Sequence, residues 1–408
     1  MKRVAVIGAG AAGSMAAIFA AASGAEVVLI ERTRDGGRKI LISGGGRCNV
    51  LPIDLDETRF VTDSSPNLLR KMLRSWPLHE QVAFFETDLG IPLVDEPELG
   101  KRFPASHKAR DVRDGLLSRA GAKGVTILYD TTVVDFAPVG DEWSIELENG
   151  TPTLADAVVV ATGGLSVPNT GSDGTGLRVL EKLGHTMNPT YAALTPLTSN
   201  EASFGALSGI SFPLTLTARS PGRTATASGG FLFTHHGYSG PSVLNISHVA
   251  VRSRLDHTAP AKVSVRWTAL GDKEWEEAFK PRGPRTVMAA LRSQLPDRLV
   301  SVLLAKSGVN PERLLSELRR DERLNLMDML VRGDLPWSGD EGYKKAEVTG
   351  GGVALSEVNP RTMESKRHPG LFICGEVLDA FGPIGGYNFA WAWATGRAAG
   401  IGSAITAS

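Results

Sequence analysis

Gly8-Ala9-Gly10-Ala11-Ala12-Gly13 sets three glycines at the spacing found where a strand turns into a helix beneath a dinucleotide. The apolar run Val4–Ile7 in front of it predicts a buried strand, and Ala11–Ser23 predicts the helix. Glu26–Glu31 predicts the next strand and ends in an acid about 20 residues after the glycines. This order is typical of a dinucleotide-binding Rossmann unit.

Each part of the unit has a physical role. Gly8 permits the tight turn, Gly10 lets the backbone approach a pyrophosphate, and Gly13 lets the helix pack closely on the strand. The helix N-terminus offers free N–H groups to the phosphates, and Glu31 can accept hydrogen bonds from the ribose hydroxyls. The alternative is a glycine-rich turn that binds nothing, and the complete unit disfavours it.

A second glycine run, Ser43-Gly44-Gly45-Gly46-Arg47-Cys48-Asn49, favours FAD over NAD. A plain NAD domain has no need of this run, whereas a flavin lies against backbone over a longer path, where glycines avoid Cβ clashes. Arg38, Lys39 and Arg47 offer positive charge for phosphate or for reduced flavin. A solvated basic loop remains the alternative for each of them.

Two later strands end in signals that agree with FAD. Ala157–Ala161 is apolar and continues into Thr162-Gly163, a common second fingerprint of FAD-binding Rossmann folds. Leu371–Cys374 is also apolar and continues into Gly375-Glu376, whose acid can bind ribitol hydroxyls. Tyr387–Gly400 after it predicts a long helix.

Composition limits the classes of partner and compartment. The chain has 408 residues, and its 44 Lys and Arg balance 44 Asp and Glu, which argues against a nucleic-acid partner or an anionic membrane surface. Two cysteines in a chain of this length fit a reducing compartment, and no apolar run has the ~20 residues of a membrane helix. We therefore expect a cytoplasmic protein, without a metal site because no His, Cys and acid cluster has metal-ligand spacing.

The hydrophobic period predicts three segments. Residues 1–190 and 341–408 alternate strands and helices and predict an FAD-binding Rossmann-type domain built from both termini. Residues 191–275, with strict alternation in Leu214–Thr217 and Lys262–Trp267, predict an inserted β-rich domain. Residues 276–340 predict a small helical subdomain, including a helix that starts at Pro311 after Asn310. The predicted fold class is thus α/β with an insertion.

At this point the chain resembles the BaiN/YhiN-like flavoproteins, a family of NAD(P)/FAD-dependent oxidoreductases. The resemblance is carried by Gly37–Asn49, Ala161–Gly171, Leu232–Pro241, and Gly375–Asp379 with Gly385–Asn388. It implies an FAD domain formed by both termini, a β-barrel-like insert and a small helical piece. The implied FAD contacts are Gly8, Gly10, Gly13, Glu31, Arg38, Lys39, Ser43, Gly44, Gly46, Arg47, Asn49, Thr162, Gly163, Gly375, Glu376, Asp379, Gly386 and Asn388.

Candidates for proton transfer are few. His235 and His236 have a side chain whose ordinary pKa suits acid–base work, and Tyr387 is a second candidate donor. Ordering of an inter-domain contact is the alternative for the histidines, and core packing is the alternative for Tyr387.

The expected function is that of an FAD-dependent oxidoreductase acting on a small organic molecule. Reduction of an activated C=C bond with electrons from NAD(P)H leads, and oxidation of an amine or ketone by oxygen is the alternative. Residues 191–340 hold no second glycine fingerprint, so a nicotinamide would have to enter transiently at the flavin. An RNA-modifying flavoprotein and a non-catalytic flavin sensor are alternatives from other classes. The oligomeric state is open.

Overall fold

The computed structural model describes residues 1–150, 152–257, 259–281 and 283–405. Its strands are β1 Arg3–Ile7, β2 Glu26–Ile30, β3 Leu51–Pro52, β4 Leu93–Glu96, β5 Lys101–Pro104, β6 Thr126–Leu128, β7 Val133–Val139, β8 Glu142–Leu147, β9 Thr153–Ala155, β10 Ala157–Val160, β11 Met187–Ala193, β12 Leu197–Thr198, β13 Ser211–Ser220, β14 Arg223–Phe233, β15 Gly237–Ser239, β16 Lys262–Arg266, β17 Gly333–Asp334, β18 Gly339–Asp340, β19 Val348–Val353 and β20 Leu371–Ile373.

Its α-helices are α1 Ala11–Ala22, α2 Arg38–Ile42, α3 Pro66–Leu73, α4 Leu78–Ala83, α5 Ala109–Ala122, α6 Thr175–Lys182, α7 Ala202–Gly205, α8 Pro241–Leu255, α9 Asp272–Ala278, α10 Val287–Arg292, α11 Asp297–Ser307, α12 Arg320–Arg332 and α13 Tyr387–Ala404. The described part of the chain divides into two compact units, Met1–Tyr191 with Glu347–Ser408, and Ala192–Ala346.

The first unit is built on a parallel sheet with the strand order β20-β10-β1-β2-β6. The central strand β1 pairs with β2 on one side and with β10 on the other, and its residues Val4–Ile7 are buried. Strands covered on both faces read as continuous apolar runs, which is why the sequence predicts them well. The predicted α/β fold class is confirmed.

Helices α1 and α13 pack at very short range in this unit. A Cβ atom on Gly396 would lie 2.3 Å from the carbonyl oxygen of Ala12, and one on Gly400 would lie 2.3 Å from that of Ala16. Small residues on both helices let the two backbones approach each other. The C-terminal helix therefore supports the helix that follows the first glycine turn.

The second unit contains a sheet with the order β17-β16-β13-β14-β15-β12-β18. Leu214 and Leu216 are buried, while Thr215 and Thr217 bond across the strands to Ser228 and Thr226, so the predicted alternation is confirmed. Helices from 287–332 share one apolar core with this sheet. The predicted boundary at residue 275, between the β-rich domain and the helical subdomain, thus falls within one apolar core. The division into these two domains stays a prediction.

The prediction of a helix that starts at Pro311 is wrong. Asn310 Oδ1 accepts a hydrogen bond from Glu312 N, which closes a turn, and Leu314 forms a bridge with Thr286. The backbone is therefore held extended by residues 285–287, and the next α-helix begins only at Arg320. A long-range pairing has overridden the local helical spacing.

His248 gives the second unit a pH-dependent stability. Its ring is buried in α8, and desolvation together with the charges of Arg252 and Arg223 lowers its pKa from 6.5 to about 4. Between these values the unfolded chain binds a proton that the folded chain does not, so the free energy of unfolding falls as the pH falls. The loss reaches about 3 kcal/mol if the whole shift is realised.

Chemical denaturation between pH 7 and pH 4 measures this effect. His248→Asn should reduce the fall in stability over that range, whereas His257→Asn, which changes an exposed histidine, should leave it unchanged. Equal pH slopes for the wild type and His248→Asn would rule out the role of His248.

Candidate functional site

A deep cleft of about 410 Å³ lies in the first unit, where the carboxyl ends of its parallel strands meet. Gly8 follows β1, Glu31 follows β2, Thr162 follows β10 and Glu376 follows β20, and all four line the cleft. This edge of a parallel α/β sheet is where ligands of such folds bind.

The first glycine turn has the geometry that the sequence predicts. Gly8 has a φ of +101°, and a Cβ atom there would lie 2.7 Å from the carbonyl oxygen of Ala161. A Cβ atom on Gly13 would lie 1.8 Å from the carbonyl oxygen of Gly8. Around Gly10, no described atom lies within 4 Å of such a Cβ. Gly8 and Gly13 thus shape the turn, and Gly10 keeps space open in the cleft.

Glu31 is tied to the glycine turn. Its Oε2 accepts a hydrogen bond from Ala9 N at 2.8 Å, and its Oε1 accepts from Thr33 N and Thr33 Oγ1. The neighbouring Arg32 forms an ion pair with Asp173, and both side chains line the cleft. Both carboxylate oxygens of Glu31 thus have protein partners, and its contact with an adenosine ribose stays a prediction.

The second glycine run forms a tight turn whose glycines adopt positive φ. Gly44 has a φ of +56° and Gly45 of +68°, values that favour glycine. Asn49 Oδ1 is buried beside this turn and has no hydrogen-bond partner among the residues described. A Cβ atom on Gly44 would lie 2.9 Å from it. An unpaired acceptor at the wall of a cleft fits a ligand that brings its own donor.

Lys39 and Glu376 form an ion pair in the middle of the cleft. The Nζ–Oε2 distance is 2.8 Å, and Ser166 Oγ bridges the two side chains at 2.7 and 2.6 Å. Thr349 N also donates to Glu376 Oε1. Burial alone would raise the pKa of Glu376, but Lys39 and these hydrogen bonds hold it below the ordinary value. Glu376 is thus an ionised acceptor.

Loss of Lys39 should destabilise the protein because it leaves the Glu376 carboxylate without its counter-charge. We expect Lys39→Met to lower the free energy of unfolding by about 2 kcal/mol. Lys39→Met/Glu376→Gln should recover most of this loss. Arg74→Met, which breaks an exposed pair with Glu57, should cost less than about 0.5 kcal/mol. Urea denaturation measures all three variants, and additive effects of Lys39→Met and Glu376→Gln would contradict the coupling.

The far end of the cleft is closed by the turn that opens α13. Gly385 and Gly386 have φ values of +107° and +94°, and both line the cleft with Asn388. Asn388 braces this turn because its side-chain amide bonds to both the N–H and the carbonyl of Gly382. The N-terminus of the long helix α13 therefore borders the cleft at this end.

Most of the predicted FAD contacts line this one cleft. They are Gly8, Gly10, Glu31, Arg38, Lys39, Ser43, Gly44, Asn49, Thr162, Gly163, Glu376, Gly386 and Asn388. The predicted contacts outside its lining are Gly13, Gly46, Arg47, Gly375 and Asp379. Whether each residue binds FAD remains a prediction.

Asp379 and Arg47 have other partners. The Asp379 carboxylate accepts hydrogen bonds from Ser64 and Asn188, so it anchors a loop rather than facing the cleft. Arg47 pairs with Glu96 at 2.8 Å, and its guanidinium lies over the ring of Phe103. These placements favour structural roles for both side chains.

The predicted proton-transfer residues are dispersed. The Tyr387 hydroxyl donates to the Asp54 carbonyl at 3.1 Å and accepts from Arg59 at 3.2 Å, and it does not line the cleft. This placement favours the packing alternative for Tyr387. His235 and His236 are exposed between β14 and β15 in the second unit, and their catalytic role remains a prediction.

Four ionisable residues of the cleft were not among the sites predicted from the sequence, namely Arg32, Lys101, Asp173 and Glu347. Lys101 and Glu347 belong to none of the motifs quoted above. The sequence did hold one signal, since Glu347 lies just before a third glycine run, Gly350–Gly352, in which Gly351 and Gly352 have positive φ. In the described residues, no group of His, Cys, Asp and Glu could hold a metal ion. Both thiols are buried, and burial raises the pKa of Cys48 to about 12.

The model of the HI0933-like protein Rossmann domain matches residues 2–402. The chain belongs to this family. It is 32% identical over 404 residues to a ribosomal RNA dihydrouridine synthase of Haemophilus influenzae, covering 97% of both chains. It is 30% identical to a 3-dehydro-bile acid delta(4,6)-reductase of Clostridium scindens, covering 98% of both chains.

A solved structure shares the fold of this HI0933-like protein. It is the 3-ketosteroid delta1-dehydrogenase of Sterolibacterium denitrificans, with a TM-score of 0.52 at 13% identity, covering 98% of this chain and 99% of that chain. The protein is an FAD-dependent oxidoreductase. Among the described helices, none is long and apolar enough to cross a membrane.

The residues of the cleft fit FAD. Gly10 leaves space where a pyrophosphate would approach, the first turns of α1 and α13 border the cleft, and Asn49, whose Oδ1 has no hydrogen-bond partner among the described residues, also lines it. An elongated ligand with phosphates in its middle and polar rings at its ends matches this distribution of groups.

Proposed function

We propose that this protein reduces a C=C bond conjugated to a carbonyl group, with NAD(P)H as the electron donor. The observation that carries the proposal comes from the two relatives quoted above, which match almost the whole chain. The names of both describe such a reduction. A dihydrouridine synthase saturates the uracil ring, and a delta(4,6)-reductase acts on a 3-oxo steroid acid. FAD supplies the hydride chemistry when it is bound.

The shape of the cleft supports a substrate beside the helix α13. Phe381 and Ile384 give this end an apolar wall, while Lys101 and Glu347 supply opposite charges. A planar, apolar molecule with one carbonyl group suits such a mixture.

Anaerobic stopped-flow mixing tests the proposal. NADH or NADPH is expected to bleach the flavin absorption, and a cyclic enone is then expected to restore it. If neither nicotinamide bleaches the flavin while an amine does, the protein is an oxidase. If no donor reduces the flavin, the non-catalytic sensor is supported.

A uridine within RNA is a second candidate substrate, and two observations favour it. One is the name of the Haemophilus influenzae relative. The other is a surface depression of the first unit lined by Arg70, Lys71, Arg74 and Arg361. Arg74 pairs with Glu57, but across the described ranges the other three form no ion pair. Although the net charge of the whole chain is balanced, this depression is locally basic, which suits binding of RNA phosphates.

Filter binding of deproteinised ribosomal RNA over a range of salt concentrations tests this candidate. Arg70→Gln/Lys71→Gln/Arg361→Gln should weaken binding and lower the salt slope by about two. Lys108→Gln/Arg110→Gln/Lys123→Gln removes the same charge from an exposed part of α5 and its ends. Equal losses in both triple variants, or no binding by the wild type, would contradict the RNA hypothesis.

A further inference from the structure

Lys101 and Glu347 come from distant parts of the sequence and both line the α13 end of the cleft. Lys101 begins β5, and Glu347 directly precedes β19. The methylene groups of Lys101 lie along the turn before α13, since a Cβ atom on Gly385 would meet them at 3.3 to 3.8 Å. The Lys101 side chain therefore follows the wall of the cleft at this end.

These two side chains differ from the other charged groups of the cleft. Glu31 is held by backbone and hydroxyl donors, Arg38 pairs with Asp35, and Lys39 pairs with Glu376. By contrast, neither Lys101 nor Glu347 makes a side-chain hydrogen bond or an ion pair with any residue that the structure describes. Each interacts with the charge of the other without contact.

Burial shifts the pKa values of the two groups in opposite directions, downward for Lys101 and upward for Glu347. Desolvation lowers the pKa of Lys101, and Arg47 adds to this, while the carboxylates of Glu347 and Glu96 oppose it. Glu347 is exposed within the cleft, but the surrounding protein partly desolvates its carboxyl group and raises its pKa. The positive charge of Lys101 acts in the opposite direction and lowers this pKa. A raised carboxyl pKa is what a general acid requires near neutral pH.

We propose that Lys101 and Glu347 form the substrate site, where the Lys101 ammonium holds the carbonyl oxygen of an α,β-unsaturated substrate and the Glu347 carboxyl delivers a proton to its α-carbon. The proposal rests on the reductase function given above. It adds the two residues that meet the substrate and the class of molecule they accept.

The chemistry balances in two steps. Bound reduced FAD would supply a hydride to the β-carbon; the pair of the C=C π bond would then form a double bond between the α-carbon and the carbonyl carbon, and the C=O π pair would move to the oxygen to give an enolate beside Lys101. The α-carbon would next form a C–H bond with the proton of Glu347, whose O–H bond breaks, and the carbonyl would be restored. The substrate gains one hydride, which carries two electrons, and one proton, and Glu347 regains its proton from water.

Binding of 4-chlorophenol to the oxidised holoenzyme tests the site without turnover. A phenolate is a stable mimic of an enolate, and its binding over a flavin gives a charge-transfer band in the visible spectrum. Lys101→Met is expected to weaken phenolate binding at least tenfold, because it removes the ammonium proposed to face the oxyanion. Glu96→Gln is the control, because this carboxylate also acts on Lys101 but does not line the cleft.

A second measurement separates this proposal from the reductase function. An enone is mixed with pre-reduced wild type and with pre-reduced Glu347→Gln. We expect the flavin absorption of Glu347→Gln to be restored about a hundredfold more slowly than that of the wild type. If the wild type and Glu347→Gln react equally fast, or if phenolate binding is equal in FAD-loaded wild type and Lys101→Met, the assignment of Lys101 and Glu347 is overturned. If phenolate binding depends on Lys101 but no enone reacts, the reductase function fails while the anion site at Lys101 stands.

Discussion

Gly10→Glu is expected to yield a folded protein that binds FAD on the order of a thousandfold more weakly. A Cβ atom at this position meets no described atom within 4 Å, and the φ of Gly10 is −81°, which any residue adopts. The new carboxylate would lie at the N-terminus of α1, in the space left for a pyrophosphate. Repulsion between the carboxylate and the pyrophosphate is therefore expected to weaken FAD binding without lowering the stability of the fold.

Two measurements separate these effects. FAD content is read from the visible spectrum and from titration of the apoprotein, and stability is read from thermal unfolding of the apoprotein. Gly121→Glu is the control, since Gly121 lies in α5 and likewise has open space around its Cβ position. The assignment of Gly10 fails if Gly10→Glu retains FAD with wild-type affinity.

Gly396→Val is expected to destabilise the protein by about 4 kcal/mol, through overpacking where α13 crosses α1. The new Cβ would lie 2.3 Å from the Ala12 carbonyl oxygen and 3.0 Å from the Ala12 Cα. A flexible side chain could move aside, but a helix backbone can yield only by separating the two helices. Because α1 follows the glycine turn, the loss of packing should also weaken FAD binding.

Gly121→Val again provides the control, because it adds the same side chain to a helix in open space. It should change the free energy of unfolding by less than about 1 kcal/mol. If Gly396→Val yields no folded protein, Gly396→Ala gives a graded version of the same test. A wild-type melting temperature for Gly396→Ala would show that the contact is not close in solution.

Much of the fold could be predicted because its signals are local. The strands β1, β2, β10 and β20 are continuous apolar runs, and each was predicted to within two residues of its observed ends. The helix predicted from Pro311 failed for the opposite reason, since pairing with residues 285–287 keeps that segment extended. A short window of sequence does not contain the partner that decides such a segment.

The candidate site divides in the same way. Gly8, Gly10 and Glu31 could be assigned to the cleft because the order of strand, turn and helix places them at one edge of a sheet. Asp379 and Tyr387 are residue types that suit a flavin site, but neither lines the cleft. Asp379 bonds to Ser64 and Tyr387 bonds to Asp54 instead. Residue type and family position do not reveal which way a side chain points.

By itself the sequence determined the Rossmann fold and the place of its glycine turn at the cleft, because glycine spacing and apolar strands act within about 30 residues of chain. Only the tertiary structure brought Lys101 and Glu347 into the lining of one cleft, where neither side chain has a hydrogen-bonding partner in the described chain. Residues so far apart in sequence line one cleft because β5, the segment before β19 and the turn before α13 are packed in one unit. The path of the folded chain, and not the spacing of its residues, decides that placement.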